Sequence, residues 1–204
     1  MAAMAGPSGN SQMIRVALVP EPPDFDERAR QPGKAWLAEN SGTTNRPRDY
    51  WSPFREVLAD GCQHRCAYTA MYTSDGTIDH YRSCKTHLEL AYEWLNYRYA
   101  GSWANSLKRD REVLDPHEVG DDWFEILLPS LQLVATDKVP LQYRGVVEQT
   151  LRILRLKHDE RLLKLRRRWL EMYERKELSI DGLRKVAPLI AAAVEKEDIV
   201  KAQL

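Results

Sequence analysis

Four polar residues in the middle of the chain have the types and order that hydrolysis of a phosphodiester requires: Asp79, His80, Asn96 and Asn105. A positioned imidazole can take a proton from water, and a hard cation can stabilise negative charge on a phosphate. Asp79 and Asn105 offer oxygen ligands that suit Mg²⁺ or Mn²⁺, which leaves His80 available as the base. The pattern therefore predicts a site with one such ion and one catalytic histidine.

A compact unit of two strands and a helix would position these residues. The predicted elements are a strand over 66–72, an Asp-Gly hairpin turn at 74–76, a returning strand over 77–81, a short helical piece over 87–94 and a helix over 105–111. Because strand side chains alternate, Asp79 and His80 would point to opposite faces of the returning strand. Asn96 would lie just after the helical piece.

Seven strings in and around this unit carry a family resemblance: Pro-Asp-Phe-Asp-Glu-Arg-Ala-Arg-Gln-Pro-Gly (23–33), Cys-Ala-Tyr (66–68), Gly-Thr-Ile-Asp-His-Tyr (76–81), Leu-Ala-Tyr-Glu-Trp-Leu-Asn-Tyr-Arg (90–98), Asn-Ser-Leu-Lys (105–108), Val-Leu-Asp-Pro (113–116) and Trp-Phe-Glu (123–125). Together they resemble a bacterial HNH endonuclease subfamily, the nuclease subunit of Septu-type anti-phage systems, which also appears beside certain retrons. The resemblance covers residues 14–175, and Asp-His, Glu-Trp-x-Asn and Asn-x-x-Lys are its most specific part.

The resemblance implies a ββα-metal (HNH) core and a role for each polar residue. His80 would be the general base, Asp79 and Asn105 would bind the metal ion, and Asn96 would hold the loop behind His80. The implied partners are an ABC/SMC-type ATPase and, in retron-linked versions, a reverse transcriptase with its DNA–RNA product. The chain contains no Walker-type phosphate loop, so any ATP dependence would come from another subunit.

A structural zinc ion is the competing hypothesis for the cysteines. Its ligands would be some subset of Cys62, His64, Cys66 and Cys84. Against it, the first pair has C-x₃-C spacing, and Gly-Ser-Trp-Ala at 101–104 stands where zinc-stapled relatives have a cysteine pair. The loop after His80 also departs from the family, with Tyr-Arg-Ser-Cys-Lys at 81–85. Cys66 is more simply a small buried hydrophobe, so structural zinc is not expected.

Two groups of basic residues are candidates for contact with nucleic acid. Four lie near the motif, where any substrate must pass: Arg82, Lys85, Lys108 and Arg109. The second group lies between residues 146 and 177, where ten Lys or Arg accompany six acidic residues on a predicted long amphipathic helix. That basic face would either follow phosphates or be a solvated helix surface, and the second alternative is the commoner case.

The predicted fold class is α+β and mostly helical, with the HNH core between an extended N-terminal segment and C-terminal helices. The predicted divisions are a disordered leader (1–13), an N-terminal extended segment and helix (14–60), the HNH core (61–115) and a C-terminal helical region (116–204). Finer expectations are a strand at 14–19, an extended stretch at 20–32, a helix at 48–58, one long helix over 140–177, a cap at Ser179 and a last helix that begins at Pro188.

Composition limits the class of protein. The formal net charge is zero, so the chain is not a generally basic nucleic-acid binder. Its longest apolar runs are too short for a membrane span, and three cysteines without a signal pattern fit a reducing cytoplasm.

Three functions remain open on these patterns. The first is an effector nuclease of an anti-phage complex with an ATPase partner. The alternatives are a catalytically silent assembly subunit that only binds nucleic acid, and a stand-alone restriction-type HNH enzyme. Contact with an ATPase is expected at the Pro-rich N-terminal segment and the C-terminal helices. Both lie outside the motif and contain apolar residues, including Phe25, Leu189, Ile190 and Val194.

Overall fold

The computed structural model describes residues 16, 18–42 and 46–203, so the predicted leader (1–13) lies outside the described residues. The fold class is α+β, with about 48% helix and two small antiparallel sheets, which confirms the predicted class. Within the described ranges, no helix combines the length and apolar character needed to cross a bilayer.

Seven α-helices and four strands make up the described fold. The helices are α1 (Gln31–Glu39), α2 (Arg55–Gly61), α3 (Ser102–Lys108), α4 (Leu141–Ile153), α5 (Glu160–Glu174), α6 (Ile180–Val186) and α7 (Pro188–Ala202). The strands are β1 (Gly76–His80), β2 (Tyr97–Gly101), β3 (Phe124–Leu127) and β4 (Gln132–Ala135). A π-helical turn (Asp26–Arg30) leads into α1, and 3₁₀ turns occupy Ser52–Phe54, Leu88–Leu90 and Trp94–Asn96.

The central unit consists of β1, β2 and α3. β1 pairs antiparallel with β2, with His80 opposite Tyr97, and α3 begins directly after β2. The predicted returning strand is therefore confirmed at 76–80, but its predicted hairpin partner at 66–72 is wrong. That segment folds into a tight turn in which the Cys66 amide donates to the Met71 carbonyl and Ala70 has a φ of +55°. A left-handed residue interrupts an extended strand, so β1 pairs with the next strand along the chain.

The N-terminal segment packs on this unit through aromatic side chains. Phe25 is fully buried, and its ring meets Phe54 and Trp94 edge to face, with centroids 5.0 and 5.1 Å apart. The predicted extended stretch at 20–32 is wrong, because the chain turns helical at Asp26 and continues into α1. Of the predicted strand at 14–19, residues 14, 15 and 17 lie outside the described ranges, and the other three are not in a strand. The predicted helix at 48–58 starts later, with α2 at Arg55.

The single long helix predicted over 140–177 is wrong. α4 ends at Ile153 and α5 begins at Glu160, and Arg155 between them has a φ of +49°. The flanking Leu154, which the helical spacing predicts to be buried, and Leu156, which it does not, are both buried. The buried Arg166 guanidinium holds the break by donating to the Leu156 carbonyl (2.9 Å) and to the Leu131 carbonyl (3.0 Å).

The C-terminal helices pack with β3 and β4 in a hydrophobic core that is separate from the one around Phe25. The Ser179 hydroxyl caps α6 by accepting from the Gly182 amide, and Pro188 is the first residue of α7, as predicted. Leu189, Ile190 and Val194 are buried beneath α7, as Phe25 is in the other core. These four side chains pack inside the chain itself. The expected contact of the N-terminal segment and the C-terminal helices with an ATPase stays a prediction.

Candidate active site

A cleft of about 630 Å³ opens beside the end of β1. It brings together three of the four predicted site residues: the adjacent Asp79 and His80, and Asn105 from a later helix. Its lip carries three cations, Arg46, Lys85 and Arg109. Arg46 comes from the N-terminal segment, so the central unit alone does not form this cleft.

The His80 ring is held in one orientation and one tautomer. Its Nε2 lies 2.8 Å from the Ala91 carbonyl oxygen, which can only accept a hydrogen bond. Nε2 must therefore carry the proton, which leaves Nδ1 with the lone pair. The rings of Trp51 and Tyr97 meet the imidazole edge to face, with centroids 4.5 and 5.0 Å away. The ring is fixed on three sides, and Nδ1 is the atom available for proton transfer.

Burial keeps this imidazole neutral. The pKa of His80 is lowered to about 4, mainly by desolvation. The Ala91 carbonyl opposes this shift, and the cations Arg46 and Lys108 contribute to it. At neutral pH the ring is therefore almost entirely in its unprotonated, base form. Proton acceptance becomes favourable only when negative charge develops next to the ring.

Asn96 closes the loop behind His80 with three hydrogen bonds. Its Oδ1 accepts from the Arg82 amide (2.7 Å), while its Nδ2 donates to the carbonyls of Arg82 (3.0 Å) and Leu90 (3.1 Å). Asn96 is almost fully buried, at 5% exposed, and does not line the cleft. This geometry places Asn96 where a loop-holding role needs it, and the side chain does not reach the reacting atoms.

We expect Asn96→Ala to lower the free energy of unfolding by about 1–3 kcal/mol, because it leaves buried backbone groups of Arg82 and Leu90 without partners. Asn96→Asp retains the acceptor for the Arg82 amide but loses both donated bonds, so its cost should also be substantial. Urea unfolding of both variants against the unsubstituted protein measures these costs. A loss below about 0.5 kcal/mol for Asn96→Ala would contradict the loop-holding role.

Asp79 lies on the other face of β1, inside the protein at the floor of the cleft. Its carboxylate accepts from the Tyr68 hydroxyl (2.5 Å), and the Lys108 ammonium is 3.2 Å from both of its oxygens. Burial raises the pKa of Asp79, and Lys108 and Tyr68 oppose that rise. Tyr68 was not among the predicted site residues, since a Tyr in an apolar run suggests only core packing.

Lys108 does not occupy the position predicted for it. It was expected to contact phosphates, but its side chain is fully buried, and its ammonium donates to Asp79 and to the His80 carbonyl (2.7 Å). It lies at the end of α3, on the face that packs against β1. Lys108 is therefore an internal counter-ion that joins α3 to the strand bearing His80 and Asp79.

Asn105 projects from α3 into the same cleft. Its Nδ2 donates to the Thr77 hydroxyl (3.1 Å), which orients the amide and leaves Oδ1 as the atom able to bind a cation. One carboxylate and one amide oxygen, completed by water, form a donor set that fits Mg²⁺, since this ion keeps several waters and few protein ligands. The residue types therefore suit the predicted ion, but both Asp79 oxygens face the Lys108 ammonium, so binding of an ion by Asp79 requires that ammonium to move away.

The four candidate zinc ligands are not brought together. Cys62 is buried in the hydrophobic core that contains Phe25, and Cys66 is buried in the core that contains Leu189 and Ile190. Cys84 lines the cleft. The His64 ring pairs with Asp60 (3.1 Å). Among residues 16, 18–42 and 46–203, no three His, Cys, Asp or Glu side chains are grouped closely enough to hold a metal ion.

The remaining residues predicted to contact phosphates differ in whether they already form an ion pair. Arg82 pairs with Glu112 (2.6 Å) and Lys85 with Asp110 (2.9 Å), so each would have to leave an ion pair. Arg109 makes no side-chain ion pair within the described chain and has a φ of +54° directly after α3. Arg46 lies over the Trp51 ring (6.0 Å from its centroid) and was missed, because its sequence neighbourhood carries no motif.

Comparison of the sequence with models of known protein families gave no match, and neither did comparison with curated proteins.

Proposed function

We propose that this protein is a metal-dependent endonuclease of the HNH type, which hydrolyses phosphodiester bonds of nucleic acid. One observation carries the proposal. A neutral His80, whose Nε2 is committed to a backbone carbonyl, presents Nδ1 in the same cleft as Asp79 and Asn105. The order β1, β2, α3, with the histidine at the end of β1 and the amide on α3, supports the proposal, because a ββα-metal unit needs this order.

In the proposed reaction, His80 Nδ1 takes a proton from a water molecule as its oxygen attacks phosphorus. The bond between phosphorus and the leaving sugar oxygen breaks, and the resulting imidazolium can release its proton to solvent. Asp79 and Asn105 would hold Mg²⁺ or Mn²⁺, which supplies positive charge against the phosphate oxygens when it is bound. Arg46 and Arg109 would bind phosphates at the lip of the cleft.

The cellular setting is part of the proposal. We infer an effector role in a cytoplasmic anti-phage complex with an ABC/SMC-type ATPase, and in retron-linked systems also with a reverse transcriptase and its DNA–RNA product. The support for this part is the sequence resemblance across 14–175 and the lack of a phosphate loop that would bind ATP.

A second candidate is a catalytically silent subunit that only binds nucleic acid. The Lys108 ammonium favours it, because Asp79 is the only acidic side chain that lines the cleft and it is already neutralised by an internal cation. The two candidates differ in whether a divalent ion binds at Asp79 and Asn105.

Replacement of Asn105 separates these candidates. Asn105→Ala removes the amide oxygen, so we expect half-maximal cleavage to need at least about tenfold more Mg²⁺ or Mn²⁺, which is the lower end of the cost of losing even an outer partner of a metal ion. Asn105→Asp is the matched control, since it restores an oxygen ligand and adds charge. Cleavage of DNA and structured RNA across a metal titration measures both.

Cleavage by the unsubstituted protein with no dependence on divalent ions would contradict the nuclease proposal. Absence of cleavage by all three proteins, together with tight binding of nucleic acid, would favour the silent subunit.

A further inference from the structure

Several exposed cations at the α4–α5 junction make no ion pair within the described residues. Five exposed cations of the C-terminal region elsewhere each make an ion pair: Lys138, Arg175, Arg184, Lys196 and Lys201. At the junction, five others make no side-chain hydrogen bond or ion pair within the described residues: Arg152, Arg155, Lys157, Arg161 and Arg168. We call these five residues the junction surface.

Two neighbouring parts of the fold present these cations. Arg161 and Arg168 are seven residues apart on α5, two full turns, and both are exposed opposite the buried Leu162 and Arg166. Arg152, Arg155 and Lys157 line a second cleft of about 640 Å³, between the junction and β4. The guanidinium of Arg166 holds the junction itself through the Leu156 carbonyl, so the positions of the cations are set by the core.

The acidic residues near this cleft are mostly engaged. Asp159 caps α5 by accepting from the Arg161 amide (2.9 Å), and Glu160 faces Lys164 (3.7 Å). Glu148 remains on the wall of the cleft. The lining of the cleft has three acidic residues beside three cations, so the excess of positive charge comes from the wider segment. Residues 148–168 contain eight Lys or Arg and three acidic residues, although the whole chain has a formal net charge of zero.

We propose that the junction surface is a second nucleic-acid site, which binds the phosphodiester backbone of a strand outside the cleft beside His80. Guanidinium groups and ammonium groups that lack internal partners bind phosphates without first breaking an ion pair, and each contact releases condensed counter-ions. None of the five residues lines the cleft at β1, so this site anchors substrate and takes no part in the hydrolysis itself. The identity of the ligand rests on the proposed function, whereas the anion site rests on the unpaired charges.

The test compares two variants that each lose four positive charges. The first is Arg152→Gln/Lys157→Gln/Arg161→Gln/Arg168→Gln, which removes four of the five cations of the junction surface. The matched control is Lys138→Gln/Arg184→Gln/Lys196→Gln/Lys201→Gln, which removes four paired cations of the same region. Binding of fluorescent duplex DNA, single-stranded DNA and structured RNA is measured by anisotropy in EDTA over a series of salt concentrations.

We expect the junction variant to lose on the order of tenfold or more in affinity at moderate salt, and its salt-dependence slope to fall by about 3, as four lost phosphate contacts require. The control should bind within about twofold of the unsubstituted protein, since net charge alone acts weakly through salt-screened distances. Circular dichroism and urea unfolding show that both variants are folded.

Equal losses in both variants, no loss in either, or no binding of nucleic acid by the unsubstituted protein would each overturn the proposal. Displacement of nucleic acid by poly-L-glutamate at equal charge concentration would overturn the assignment to phosphates and point to an acidic protein. Because binding is measured without divalent ions, failure of the nuclease proposal appears separately, as absence of metal-dependent cleavage with junction binding intact.

Discussion

His80→Ala should lower the rate of phosphodiester cleavage by about 10²–10⁴-fold, the usual contribution of a positioned general base. The reason is the geometry of the ring: Nε2 is tied to the Ala91 carbonyl and burial keeps Nδ1 unprotonated, so no other described side chain in the cleft is held as a neutral base. Nucleic-acid affinity should change little, because His80 carries no charge at neutral pH.

The matched control is His87→Ala. His87 is more exposed, pairs with Glu89 (3.2 Å) and does not line the cleft, so its loss should leave cleavage near the unsubstituted rate. Added imidazole should restore part of the activity of His80→Ala by entering the space vacated beside Trp51. Unreduced cleavage by His80→Ala would sink the HNH assignment.

Lys108→Met should be the most destabilising single substitution at the site. It leaves the buried Asp79 carboxylate with only the Tyr68 hydroxyl as a partner, and removal of one member of a buried ion pair typically costs about 3–5 kcal/mol. The free energy of unfolding from urea denaturation in EDTA measures this cost. Part of the loss should return in Asp79→Asn/Lys108→Met, where no uncompensated charge remains.

Lys85→Met provides the surface comparison for this prediction. Its ammonium pairs with Asp110 at a similar distance (2.9 Å), but the side chain is 78% exposed, so the cost should stay below about 1 kcal/mol. A cost for Lys108→Met as small as that of Lys85→Met would show that Lys108 is not an internal counter-ion.

The sequence alone predicted the local features of this site. The strand at 76–80, the position of Asn96 beside the loop after His80, the Ser179 cap and the start of α7 at Pro188 depend on residue type, turn chemistry and short spacings, which are visible in a linear string. Asp79, His80 and Asn105 line one cleft, although the sequence predicted the wrong partner strand for β1 and did not predict β2.

Long-range packing decided the rest, because it depends on which side chains meet across the fold. The choice of β2 over 66–72 as the partner of β1 follows from a left-handed residue at Ala70. The break between α4 and α5 depends on Arg166, which bonds to a carbonyl ten residues away. Neither contact has a signature in the periodicity of the sequence.

Lys108 shows most clearly the difference between what the sequence predicts and what the packing decides. In the sequence, Lys108 is a cation close to a predicted catalytic motif, and that position predicts a phosphate contact at the surface. The tertiary structure packs α3 against β1, so the lysine stem is buried and its ammonium meets Asp79. The sequence determined that a cation would lie near the site, but only the packing of helix on strand decided whether it faces solvent or the carboxylate, because burial is a property of the assembled fold.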